Sequence, residues 1–154
     1  MQTKYCFLTL QIKDLKKTVR IVNYILPVVA GTMVGIMLTV FGEMGIHHFY
    51  PPPMGISLEN KVALAEFIAS MPSKAFMLLL ANYAVCSFIA GVVATIVAGR
   101  NTKIPAIIVG MLISLGAIYN IVKMPSQPMW FVAFSILLHI PLTLLGYYTA
   151  RKKG

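Results

Sequence analysis

Six side chains in this sequence carry binding or acid–base chemistry and sit in or beside long apolar runs: Glu43, His47, His48, Asn82, Asn120 and His139. A polar or ionisable group in a lipid-immersed helix is costly, so it faces a partner, a cavity or a solute path. Glu43 and His47 stand four residues apart, hence on one face if a helix extends that far. With His48 they offer one carboxylate and two imidazoles, donor types that suit a zinc-like ion. No HExxH is present, and a further ligand would have to fold back from Glu59 or Glu66. The plainer reading is a Glu–His pair at an interface. No cofactor is therefore predicted, and Glu43, His47 and His48 are the residues that would hold a metal. A histidine titrates near pH 6.5 when unperturbed, so His139 could carry a proton or bind an anionic headgroup. The alternative for His139 is a neutral ring bonded to a backbone oxygen near Pro141.

Other chemistry is missing from the chain. There is no Gly-rich phosphate loop, no GxSxG, no CxxC and no carboxylate pair within one apolar run. The absence of an acid deep in any run argues against an ordinary proton-coupled pump. The two cysteines, Cys6 and Cys86, lie in unlike segments and read as free thiols.

The elements that must position these residues are legible from composition. Of the 154 residues, 58% are hydrophobic and 11% charged, against roughly 25% charged in a soluble domain. Four apolar runs stand out, at about 21–42, 75–99, 104–122 and 129–150. Each is near the roughly 20 residues that cross a hydrocarbon core of about 30 Å as a helix. The runs are continuous rather than alternating, and four strands cannot close a barrel. The fold class is therefore an all-α membrane protein, with four transmembrane helices in an antiparallel bundle. The first run is too long and its flank too basic for a cleaved signal peptide, so it is read as an uncleaved span.

The net charge of +9 does not point to nucleic acid, because ten of the thirteen Lys and Arg residues fall on one side of this topology. Those ten occupy residues 1–20, the loop at Arg100 and Lys103, and the C-terminus from Arg151. Lys61, Lys74 and Lys123 fall on the other. Basic loops stay inside, so both termini are expected in the cytoplasm and the basic segments against anionic lipid.

Residues 1–20 place Tyr5, Leu8, Ile12, Leu15 and Val19 on one helical stripe. This predicts either a short amphipathic helix on the inner leaflet or a charged tail that only fixes topology. The remainder, 21–154, forms the four-helix domain, with an external loop over 43–74. Within that loop Pro51, Pro52 and Pro53 enforce an extended turn. Leu58, Val62, Ala65 and Ala69 then recur at helical spacing behind a Ser57 N-cap and predict a short external helix. Pro105 suits the first turn of span three, and Pro141 should kink span four by freeing the Leu137 carbonyl. Gly31 and Gly35, Ala90 with Ala94 and Ala98, and Ala106 with Gly110 and Ser114 form small-residue ridges for close helix contact, within the monomer or between copies.

Depth then sorts the polar residues. At 1.5 Å per residue His139 lies about 13 Å below Trp130, and Asn82 lies about 10 Å or a little more below Lys74. Glu43 and Asn120 lie near the same, outer ends of spans one and three. The four residues Glu43, Asn82, Asn120 and His139 are thus expected to line one pocket in the outer half of the bundle. The alternative is that each is satisfied separately by a carbonyl or interfacial water.

Gly42-Glu43, Tyr50-Pro51-Pro52-Pro53, and the stretch from Asn120 through Pro125, Pro128 and Trp130 together resemble a group of small bacterial four-helix membrane proteins with no assigned activity. The resemblance implies a bacterial inner membrane. In that group a His stands between two prolines before the Trp; Gln127 takes that place here, which weakens a metal reading of the outer loop.

Three functions compete. The first is binding or transport of a lipid or small solute through the outward-facing pocket, alone or as a homo-oligomer. The second is an accessory or assembly subunit of a larger membrane complex, which predicts a partner membrane subunit. The third is a metal- or His-dependent membrane enzyme using Glu43, His47 and His139. The first is favoured by the one-sided placement of the polar residues.

Overall fold

The computed structural model describes residues 2–51, 60–99, 102–124 and 126–152. These form six helices and, among the described residues, no strand. Four stretches are long and apolar enough to cross a membrane: Val22–Phe49, Ser73–Val97, Ile104–Lys123 and Met129–Ala150. By length and composition the chain is a multi-pass membrane protein.

The first helix, α1, runs unbroken from Gln2–Phe49 over 48 residues. It has no boundary near residue 20 and continues past residue 42, so Glu43, His47 and His48 are helical rather than in a loop. Nothing between them stops it: the one internal proline is Pro27, and the glycines lie on packed or open faces of the helix. The stop comes at Tyr50, where Pro51 disfavours helical backbone in the residue before it.

Helix α2 spans Lys61–Ser70. Its N-cap is Asn60, whose side chain accepts from the Ala63 N–H at 3.2 Å. Ser57, the expected cap, lies outside the described residues, as does Leu58. The buried face also differs from the expected stripe. Leu64 and Ile68 point inward while Val62 and Ala69 are exposed. This ten-residue helix is apolar on more than one side, so the tertiary contact chooses the face. That contact is a cluster of Leu64, Ile68, Phe76 and Phe131.

Helix α3 spans Ser73–Val97 and α4 spans Ile104–Lys123, with proline in the first turn of α4. The fourth stretch is divided into α5, Met129–Leu137, and α6, His139–Ala150. Pro141 has no N–H for the Leu137 carbonyl and its ring crowds it, and the ladder lapses at Leu138.

The order of contacts fixes how the helices run. Gly31 meets Ala90 and Ala94, while Gly42 meets Asn82, so numbering rises along α1 as it falls along α3. Gly110 meets His139, Ile140 and Thr143, and Ser114 reaches Ile136 at 3.3 Å, which gives the same opposed relation for α4 and the α5–α6 stretch. Where α3 crosses α6, Gly91 lies against the Thr143 backbone and Gly146 against the Phe88 carbonyl. A Cβ at either position would overlap main-chain atoms, so only glycine permits that approach.

Apart from Val109 and the apolar cluster against α2, the interior is small and polar, and the exterior is large and apolar. Ser87, Thr95, Ser114, Ser135, His139 and Thr143 are buried, together with Ala75, Ala90, Ala94 and Ala106. Met33, Met37, Phe41, Leu115 and Leu137 are each about 60% exposed or more. A water-soluble protein buries its large apolar residues and could not present such a surface. Several interior hydroxyls are satisfied locally: Thr95 donates to the Gly91 carbonyl at 2.7 Å, Ser114 to Gly110 at 2.9 Å and Thr143 to Ile140 at 3.0 Å, while Thr32 Oγ1 and Ser135 Oγ are buried without a partner among the described residues.

Candidate functional site

Three of the four residues expected in one pocket share one. A cavity of about 290 Å³ lies among α1, α3, α4 and α6 and is lined by Glu43, Tyr83, Asn120 and His139, with Ile36, Val40, Leu112, Ile113 and Gly116 forming apolar wall. Ile36, Val40 and Leu112 are also about half exposed on the outer surface, so the cavity opens sideways between α1 and α4.

The fourth residue, Asn82, lines neither this cavity nor the next. Its Nδ2 donates to the Thr39 carbonyl at 3.2 Å, and its Oδ1 accepts from Cys86 Sγ at 3.4 Å. It lies over Gly42, where a Cβ would collide with it. Asn82 therefore clamps α3 to α1 and leaves the cavity to its neighbour Tyr83.

Tyr83 joins the site together. Its hydroxyl donates to Glu43 Oε1 at 2.8 Å. Its carbonyl accepts from Ser87 Oγ at 2.7 Å, and Ser87 Oγ is 2.7 Å from His139 Nδ1. The tyrosine and histidine rings lie 6.0 Å apart between centroids. A polar line thus runs from Glu43 on α1, along one turn of α3, to His139 on α6.

A hydroxyl has one proton to give, and Ser87 has two partners for it, the Tyr83 carbonyl and His139 Nδ1. If the proton goes to the carbonyl, Nδ1 carries the proton of the Ser87–His139 bond and Nε2 is a lone pair; if it goes to Nδ1, Nε2 carries the ring proton. In either case Nε2 is fully buried and has no hydrogen-bond partner among the described residues.

A second cavity, about 360 Å³, lies toward the end of the bundle beneath α2. Leu64, Ile68, Phe76 and Phe131 form its apolar walls, and His47 and Gln127 add polar groups. Glu43, Tyr83 and Asn120 line both cavities and so stand between them. Gln127 Oε1 is buried without a partner among the described residues. Among the described residues, neither Lys nor Arg lines either cavity.

Among the described residues no group of three or more His, Cys, Asp and Glu comes together. His47 turns toward the second cavity. His48 is exposed and meets Phe49 edge-on, with ring centroids 5.9 Å apart. Glu66 is exposed on α2, and Glu59 lies outside the described residues. The expected metal set of Glu43, His47 and His48 is thus divided, since successive residues of one helix point about 100° apart.

No family model matches the chain, and no curated protein or solved structure is similar to it. The functional reading rests on the geometry alone.

Proposed function

We propose that this protein is a multi-pass inner-membrane protein, both termini in the cytoplasm, that binds a small amphipathic solute or lipid group in the cavity beside His139. The observation that carries the reading is the Nε2 of His139, buried and unpartnered in a residue that lines the cavity. An unmet buried polar group costs about 1–3 kcal/mol, and an apolar cavity with a few convergent polar groups is how small-molecule sites are built. The sideways opening suits a solute that first partitions into the bilayer. The basic segments, which carry ten of the thirteen Lys and Arg residues, hold the opposite end of the bundle at the inner face.

Transport follows as a natural extension of binding, because the Glu43–Tyr83 bond stands between two cavities and its opening would join them. Native mass spectrometry of the full chain, released from mild detergent, tests the binding claim. A retained small adduct on wild type that is lost in Gly116→Leu is expected. Gly116 lines the cavity, and a Cβ there meets nothing within 4 Å, so the leucine fills space without a clash. Identical spectra for both proteins, together with identical stability across a broad solute panel, would overturn it.

A further inference from the structure

Glu43 is the one acceptor-only group among the described side chains that line the two cavities; the amides of Asn120 and Gln127 both donate and accept. Glu43 presents a carboxylate, of which Tyr83 engages one oxygen. A carboxylate has about four acceptor sites, so that single bond leaves most of its capacity unused. His139 lines the same cavity as Glu43, and its unpartnered Nε2 is an acceptor when the Ser87 proton lies on the Tyr83 carbonyl. Gln127 lines the second cavity, and its Oε1 is buried without a partner among the described residues. Among the described residues, the cations that a phosphate or carboxylate ligand would need are missing from both walls. The chain has thirteen Lys and Arg residues and four Asp and Glu, yet among the described residues the formally charged one on these walls is an acid. An anionic headgroup, one of the ligands His139 alone would suggest, meets repulsion from Glu43 and gains no compensating cation.

Resting on the reading of this cavity as a ligand site, we infer that its ligand is a protonated amine on an apolar body, with the N–H donors taken by Glu43 and His139 Nε2. The ammonium supplies both the charge and the donors that these groups lack. Ion pairing in a low-dielectric cavity is far stronger than in water, and a hydrogen-bonded charge pair is stronger than a neutral one. Ile36, Val40, Leu112 and Ile113 surround the apolar body, and the opening between α1 and α4 lets it enter from lipid. Two sources present this chemistry: a free amphipathic amine and the ammonium headgroup of an ethanolamine lipid.

The test uses the full chain in detergent, with thermal unfolding read from the fluorescence of its single tryptophan, Trp130. Three probes share one alkyl chain: n-octylammonium, octyltrimethylammonium and octanoate. Octylammonium is expected to raise Tm saturably. Octyltrimethylammonium, which has charge but no N–H, should bind at least tenfold more weakly, and octanoate should give no saturable shift. Glu43→Gln keeps an acceptor for Tyr83 but removes the charge; it should weaken octylammonium at least tenfold. Gly116→Leu should abolish the shift while leaving the unliganded Tm at or above wild type. Repeating the titration in nanodiscs of phosphatidylethanolamine and of phosphatidylglycerol separates the sources. A shift suppressed only by phosphatidylethanolamine assigns the lipid headgroup, and equal shifts in both assign the free amine. Octanoate binding as well as octylammonium, or E43Q binding like wild type, overturns the amine assignment and leaves the cavity site standing. Octylammonium shifts that persist unchanged in G116L overturn both.

Discussion

Tyr83 and Ser87 do more for the site than any residue the sequence singles out, and their effects separate cleanly. Tyr83→Phe removes a hydrogen bond to a charged acceptor and leaves the ring packing intact, so it should cost about 1.5–3 kcal/mol in denaturant unfolding. Ser87→Ala leaves a buried imidazole nitrogen without its partner and should cost about 1–3 kcal/mol. Asn82→Ala should destabilise to a similar extent but leave ligand binding within a factor of about two, because Asn82 holds α1 to α3 and does not touch the cavity. Depth along the spans brought Glu43, Asn120 and His139 to one place, and that much could be read from counting residues. It could not separate Asn82 from Tyr83. Those neighbours differ by one step around α3, and which of them faces the cavity depends on the rotation of α3 against α1. The available signal was the repeat of polar groups four apart, Asn82 with Cys86 and Tyr83 with Ser87. An aromatic residue in a span ordinarily reads as packing.

Among the elements, the α3–α6 crossing is the tightest contact. Gly91→Ala and Gly146→Ala each force a Cβ into main-chain atoms and should cost about 1–3 kcal/mol, seen as a lowered Tm. Gly116→Ala is the matched control: its Cβ meets open space, and replacing glycine within a helix should gain up to about 1 kcal/mol. Helix α2 is held by a short apolar face and one side-chain cap. Asn60→Ala should cost about 1 kcal/mol locally, measured as faster amide exchange confined to α2. The long helices were legible because an uncharged run of twenty residues has few other solutions in lipid. The break before Pro141 was legible because proline chemistry is local. The unbroken passage of α1 through residue 20 and on to Phe49 was not, since basic composition and a span-length rule mark a membrane boundary rather than a helix end. The inward face of α2 was missed for the opposite reason: with apolar residues on several sides, its period alone names no face.

At the scale of the whole molecule, the surface of large apolar side chains around a small, hydroxyl-rich interior is the arrangement a lipid solvent selects. Met37 faces outward on α1, so Met37→Lys should disfavour membrane insertion by about 2.5–3.5 kcal/mol and lower the yield of folded protein. An active extracytoplasmic reporter fused after Gly154 would contradict the inside placement of the C-terminus that the basic residues imply. Within that bundle, the proposed site turns on one atom: the Nε2 of His139, buried and unpartnered in a residue that lines the cavity. Nitrogen-15 NMR of histidine-labelled protein in micelles, with His139→Gln for assignment, observes it directly. A neutral ring protonated at Nδ1 is expected, with an Nε2 resonance that moves saturably as n-octylammonium is added. A ring protonated at Nε2 and indifferent to the amine would contradict it.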